Sequence, residues 1–184
     1  MKDIVFITGN ENKLREAKQI LGVNIISESL DLMELQAVDL EDVIKDKLRH
    51  GYDLLNKPVM VEDTGLFLNA LNGFPGALIK MLLERAGREG IVNVLKGFRD
   101  NTVIAKCAIG FTGDGKALKV FIGDIKGRIV EPRGESGFGW DPIFQPEGFD
   151  KTFAEMSSEE KNAISHRFKA LKKFKEFLEN EGNV

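Results

Sequence analysis

The first 22 residues constrain the fold most. Ile4 to Ile7 is a short apolar run between polar residues, the pattern of a buried strand. Thr8-Gly9-Asn10 interrupts it. Glu11 to Leu21 then sets Leu14, Ala17, Ile20 and Leu21 on one helical stripe, which Gly22 ends. A strand that turns straight into a helix opens an α/β arrangement, because each element needs the other to cover its apolar side. The later pattern agrees. Val23 to Ser27 reads as a strand, and Leu40, Val43, Ile44, Leu48 and Leu55 give a helix over about Asp39 to Leu55. Pro58 to Glu62 is a short strand ending in acid, and Gly76 to Phe98 reads as two short helices broken around Gly87 and Gly90. Thr102 to Phe111 is β-rich and Gly113-Asp114-Gly115 marks a hairpin, followed by strands over Lys116 to Ile122 and Lys126 to Val130. A glycine-rich loop spans Pro132 to Gly139, Ser157 and Glu160 form a capping box, and a last helix from about Ser165 turns Phe168, Leu171, Phe174 and Leu178 inward. The expectation is an α/β fold with a mixed sheet.

At 184 residues with 42% hydrophobic content, the chain fits a single domain over 1–184 with a sizeable core, not a disordered segment. Its 26 Lys+Arg and 29 Asp+Glu leave a net charge of −3, which disfavours general nucleic-acid binding. One cysteine excludes an intrachain disulfide or Cys-cluster metal site, and His50 and His166 are too few and too far apart in sequence to suggest zinc. No apolar run approaches the ~18 residues of a membrane span, and Met1 to Ile7 lacks a signal-peptide h-region. A soluble cytoplasmic protein is expected.

Three segments carry chemistry. Thr8-Gly9-Asn10-Glu11-Asn12-Lys13 lies where a strand feeds a helix, so backbone N–H groups, the helix dipole and Lys13 together favour an anion. It is not a Walker A loop, and its plainer reading is an Asn10 cap with a solvated lysine. In Val61-Glu62-Asp63-Thr64-Gly65, adjacent carboxylates point to opposite faces of a strand. Such hard oxygen ligands suit Mg²⁺ with substrate phosphates; the plainer reading is a turn with solvated acids. Gly137-Phe138-Gly139-Trp140-Asp141-Pro142 sets aromatics beside glycines, as a base-stacking loop would. Downstream, Lys161, His166 and Arg167 gather donors around a helix start. The plainer reading of that pair of segments is a core Trp140 and a polar helix N-terminus. Glu34, Lys47 and Lys80 are single charges, each read alone as a surface residue, and Cys107 reads as core.

Five segments in order make the chain resemble the inosine triphosphate pyrophosphatase family: Thr8 to Lys13, Glu62 to Leu66, Gly73-Phe74-Pro75-Gly76, Phe138 to Pro142, and Glu160-Lys161-Asn162-Ala163-Ile164-Ser165-His166-Arg167. The stretch from Gly127 to Leu171 resembles its eukaryotic branch, with Trp140 where many bacterial members carry Tyr. Leu78 departs from the Tyr common after the Pro-Gly turn. The resemblance implies an elongated α/β fold with a long, twisted mixed sheet, flanking helices, two lobes around a central cleft, and a homodimer. It implies that Thr8, Gly9, Asn10, Glu11, Asn12 and Lys13 bind phosphate and that Lys47 and Lys80 lie near the triphosphate. Glu34 and Asp63 would hold Mg²⁺, and Asp63 would be the general base. Thr64 would touch substrate, and Phe138, Gly139, Trp140, Asp141, Lys161, His166 and Arg167 would form the base pocket.

The expected activity is hydrolysis of ITP, dITP or XTP to the monophosphate and pyrophosphate, with water attacking the α-phosphorus. Lys161 and Arg167 carry donors alone, which suit the O6 carbonyl of hypoxanthine and clash with the amino group of adenine. The rival readings are a non-catalytic purine nucleotide sensor and a single-stranded RNA binder stacking bases on Phe138 and Trp140.

Overall fold

A computed structural model describes residues 3–137 and 139–181; Phe138, a candidate above, lies outside the described residues. Among the described residues, seven strands form one open mixed sheet. β1 (Ile4–Ile7) runs parallel to both β2 (Ile25–Glu28) and β3 (Val59–Leu68). The two-residue β4 (Pro75–Gly76) pairs antiparallel with the far end of β3. β5 (Thr102–Thr112), β6 (Lys119–Ile129) and β7 (Phe144–Pro146) extend the sheet antiparallel from β3. The helices are α1 (Glu11–Leu21), α2 (Leu40–Leu55), α3 (Ile79–Leu95), α4 (Ser158–Ile164) and α5 (His166–Glu181). None of the described helices is long and apolar enough to cross a membrane.

Alternation along the strands decides which helix covers which face. Ile4, Phe6, Met60, Cys107 and Ile109 pack with Ala17 and Leu21 of α1 and Leu171, Phe174 and Leu178 of α5. Their strand neighbours Val5, Val59, Val61 and Ala108 pack instead with Leu40, Ile44 and Leu48 of α2. Side chains on a strand alternate with a period of two, so each helix layer receives every second residue. A further core gathers at the other end of β3, where Leu66 and Leu68 meet Val103, Ala105, Ile79, Ile91, Phe144 and Phe153. Between these apolar halves of β3 stand Glu62, Asp63, Thr64 and Gly65. The molecule therefore has two packed lobes on one long sheet, with a polar belt across the middle.

Local signals set many of the boundaries. Asn10, Asp39 and Ser157 cap α1, α2 and α4, and Gly22 closes α1 in the left-handed region. Three expectations are corrected. β3 does not end at Glu62 but runs ten residues, because β5 pairs with it from Val59 to Leu68 and satisfies its backbone throughout. β6 is one strand, not two, and passes through Gly123-Asp124 without a turn. The helical stretch after Gly76 breaks at Gly87 but not at Gly90.

Gly123 explains the uninterrupted strand. A Cβ there would lie 2.1 Å from the His166 carbonyl oxygen and 2.4 Å from the Ala170 nitrogen, so glycine lets α5 rest directly on β6. Gly123→Ala should lower stability by about 1–3 kcal/mol, the usual cost of forcing extra volume into a packed contact. Urea unfolding measures this; an unchanged midpoint would mean that α5 does not sit so close to β6.

Candidate active site

The alternation that sorts the core also sorts the two acids at the centre of β3. Glu62 shares the α1/α5 face with Met60, and Asp63 shares the α2 face with Val61. The Glu62 side chain is 1% exposed. Its Oε1 receives Lys13 Nζ from α1 at 3.1 Å and Arg167 Nε from α5 at 3.0 Å. A second Arg167 nitrogen reaches Glu16 Oε2, also at 3.0 Å. Burial alone would raise the Glu62 carboxyl, but Arg167 and Lys13 outweigh it and hold the group at about 2. Glu62 Oε2 is buried without a hydrogen-bond partner among the described residues.

On the other face, Lys47 Nζ lies 2.7 Å from Glu34 and 3.2 Å from Asp63 Oδ2. Asp63 Oδ1 accepts from the Thr64 N–H at 2.8 Å, which orients the carboxylate. Burial of Lys47 acts to lower its pKa, yet Asp63 and Glu34 reverse this and the net shift is upward. Glu34 is lowered: burial opposes the change, and Lys47 chiefly drives it. Lys13, Lys47, Glu34, Asp63 and the exposed Lys80 line one hollow of about 510 Å³ with Thr8 and Gly9. Three cations thus face the same space as the convergent carboxylates of Glu34 and Asp63, and Asp31 and Glu62 also line it.

A narrow slot of about 20 Å³ lies on the Glu62 side, between Thr64, Trp140, Asp141, Lys161, His166 and Arg167. It adjoins a larger hollow of about 860 Å³ through Glu16, Lys161 and Asn162. Asp141 Oδ2 accepts from Lys161 Nζ at 2.6 Å. His166 is buried, and burial followed by the charges of Arg167 and Lys161 pushes it well below the ordinary histidine value, so the ring is neutral at pH 7. Its Nδ1 has no hydrogen-bond partner among the described residues.

Several candidates carry structural roles, and for Asn10 and Trp140 these are the plainer readings that the sequence offered. Asn10 Oδ1 accepts from the Asn12 and Lys13 N–H groups at 3.0 and 3.2 Å, so the cap already uses two donors of the helix start. Glu11 and Asn12 are exposed, and Asn12 lines the large hollow rather than the one around Lys13. Trp140 is 8% exposed and packs on Phe144, Phe153 and His166 at ring-centroid distances of 5.3, 6.2 and 5.4 Å, so it is both core and pocket wall. Arg167 spends two nitrogens on carboxylates, which makes it a brace of the slot as much as a donor into it. Cys107 is buried, as expected, and burial pushes its thiol up. Sequence reasoning missed Glu16; the available signal was its place one turn after Lys13, on the same face of α1.

A sequence model of the Ham1 family matches residues 4–177. This chain belongs to the Ham1 family. Among its relatives is a protein named inosine triphosphate pyrophosphatase from Yarrowia lipolytica, 48% identical over 179 residues and 95% of each chain. A protein of the same name from Emericella nidulans is 46% identical over 184 residues, covering 98% of this chain and 99% of that one. The solved Ham1 proteins of Coxiella burnetii and Staphylococcus aureus superpose with TM-scores of 0.89 and 0.87, at 29% and 34% identity. Each covers 98% of this chain and 100% of its own. The expected α/β fold is thereby that of the Ham1 proteins.

Glu62 should make this Ham1 member sensitive to acid. Its folded pKa of about 2 lies below the reference value of 4.5, so its stabilising contribution is present above pH 4.5 and is lost as pH falls through about 2. Urea unfolding between pH 5.5 and 2.5 should show a steeper loss of stability in the wild type than in Glu62→Gln. At pH 7 that variant should itself be less stable by roughly 3–5 kcal/mol, the cost of breaking a buried ion pair from one side. Parallel pH profiles would contradict the assignment.

Proposed function

We propose that the chain hydrolyses ITP, dITP and XTP to the monophosphate and pyrophosphate, removing deaminated purine nucleotides from the pool. The observation that carries this reading is the gathering of Lys13, Lys47 and Lys80 around one hollow with Asp63, in a chain 48% identical to a named inosine triphosphate pyrophosphatase. A sensor that binds without turnover is not favoured, because the proposed base and the phosphate lysine are both in place. We read 1–184 as a single hydrolytic unit, since residues from Thr8 to Arg167 contribute to its cleft.

In this reading the triphosphate occupies the hollow lined by Thr8, Gly9 and the three lysines. Catalysis then rests mainly on positioning and charge neutralisation. Asp63, oriented by the Thr64 N–H, takes the proton of the water that attacks the α-phosphorus. Lys47 is fixed between Glu34 and Asp63, so it holds that carboxylate in place and sets positive charge beside the phosphates. Glu34 and Asp63 are also read as the ligands of a divalent metal: both are hard oxygen donors, and their convergence on one ammonium supports a shared cationic position. We assign Mg²⁺; when bound, it supplies further charge neutralisation and polarises water.

The base is read beside Trp140. The Asp141–Lys161 pair offers an acceptor next to a donor, and hypoxanthine presents the complement, an N1–H beside O6. Adenine presents the reverse, an acceptor at N1 beside a donor at N6, so both contacts fail together. Sites built on such bonds discriminate by roughly 10⁴–10⁵ when the loss is complete. Arg167 contributes by bracing the slot, and Phe138 is assigned to base binding on its sequence motif alone.

We also assign a cytoplasmic homodimer acting on small-molecule substrates, with no nucleic-acid or membrane partner. The net charge of −3 supports the absence of nucleic acid. The exposed apolar side chains Leu35 and Met81, which line one hollow with Leu78, are a surface that a second copy would cover.

Pyrophosphate release from ITP and from ATP, with Mg²⁺ and with excess chelator, tests the assignment. ITP turnover should be strong, ATP turnover weak, and chelation should abolish both; equal use of ITP and ATP, or full activity in chelator, would contradict it. Asp63→Asn should lower kcat by roughly 10²–10⁴, the range for a general base, while the protein stays folded. A near wild-type kcat would remove Asp63 from that role.

A further inference from the structure

Arg88 lies outside every motif noted in the sequence, yet it joins two distant parts of the chain. Its Nε–H donates to the Gly139 carbonyl oxygen at 2.7 Å, across 51 residues. The guanidinium is always charged, so this is a charge-assisted bond to a neutral acceptor. Gly139 immediately precedes Trp140 and Asp141. Trp140 packs on His166, and Asp141 accepts from Lys161. The position of the Gly139 carbonyl therefore sets where both residues enter the slot.

The earlier part of this loop is tied down independently. The Arg133 carbonyl accepts from Thr152 Oγ1 at 2.9 Å, the Arg133 N–H donates to the Pro142 carbonyl at 2.9 Å, and the Ser136 hydroxyl donates to the Ala154 carbonyl. Those bonds hold the loop to the chain segment that follows it. The Arg88 bond alone among these reaches α3. The direction in which Arg88 leaves α3 is set by its predecessor: Gly87 has φ 69° and ψ 179°, a conformation open essentially only to glycine. The helix breaks there, and the next side chain lies against Gly139.

We propose that Arg88 is a positioning residue for purine selection: by holding the Gly139 carbonyl, it fixes Trp140 and Asp141 against Lys161 and His166. Gly87 is part of the same device, because its backbone aims Arg88. This rests on the reading of that slot as the base site. Arg88 touches neither the phosphate hollow nor Asp63, so its effect belongs to base binding and not to the chemical step.

The test uses the full chain as wild type, Arg88→Met, Arg88→Lys and Gly87→Ala, with steady-state kinetics on ITP and ATP. Inorganic tripolyphosphate serves as an inhibitor that reports the phosphate hollow alone. In Arg88→Met the KM for ITP should rise by roughly tenfold, the worth of one hydrogen bond to a charged group, with kcat little changed. The preference for ITP over ATP should fall, and inhibition by tripolyphosphate should stay at its wild-type value. Arg88→Lys, which keeps the charge but not the planar donor, should fall between. Gly87→Ala should shift KM and preference in the same direction as Arg88→Met. Wild-type KM and ITP preference in Arg88→Met would overturn the proposal, as would a loss of tripolyphosphate inhibition parallel to that of ITP, the mark of general loosening. A wild type that does not prefer ITP over ATP would overturn the reading of the slot and this proposal with it.

Discussion

A carboxylate buried within the ten-residue pairing of β3 with β5 organises this molecule. Glu62 cannot stand charged in that position without cations, because an isolated buried charge costs many kcal/mol. Lys13 and Arg167 supply them from opposite ends of the sequence. Each therefore fixes its helix: α1 must bring its first turn over β3, and α5 must begin beside it. The site follows from that packing. Lys13 is left on the wall of the hollow that also holds Lys47 and Lys80, and Arg167 on the wall of the slot beside Trp140, with one carboxylate oxygen behind both.

The next residue uses the opposite face. Asp63 turns toward α2, where Lys47 and Glu34 meet it and the Thr64 N–H orients it. One strand thus supplies two consecutive acids with different partners, Glu62 held by Lys13 and Arg167 and Asp63 by Lys47. The division has a physical logic. Glu62 is almost wholly removed from solvent and is spent on its cations, whereas Asp63 is partly open, with a side chain 22% exposed, and can meet water and phosphate.

The opening strand and helix, the caps at Asn10, Asp39 and Ser157, and the inward face of α5 were legible in the sequence, because local periodicity and backbone hydrogen bonding determine them. The length of β3 was not. Two acids and a Thr-Gly pair read as a turn, and only pairing with β5 together with distant cations makes an extended strand stable there. Gly123-Asp124 misled in the same way: the glycine answers to the backbone of α5, a contact that no local window contains. The site residues were legible as motifs in order, but not their division of labour. That Arg167 braces Glu62 and Glu16 depends on contacts made across more than a hundred residues, and that Trp140 is wall as well as core depends on how Phe144, Phe153 and His166 fold around it. Arg88 carried no local signal at all.

The central claim is that water attacks the α-phosphorus of a deaminated purine triphosphate held with its phosphates among Lys13, Lys47 and Lys80. Hydrolysis of ITP in ¹⁸O-labelled water, followed by ³¹P NMR of the products, tests it directly. The account predicts inosine monophosphate and pyrophosphate as the products, with the ¹⁸O carried by the monophosphate alone. Label in the pyrophosphate, or release of inorganic phosphate with inosine diphosphate, would place the attack on another phosphorus and contradict it.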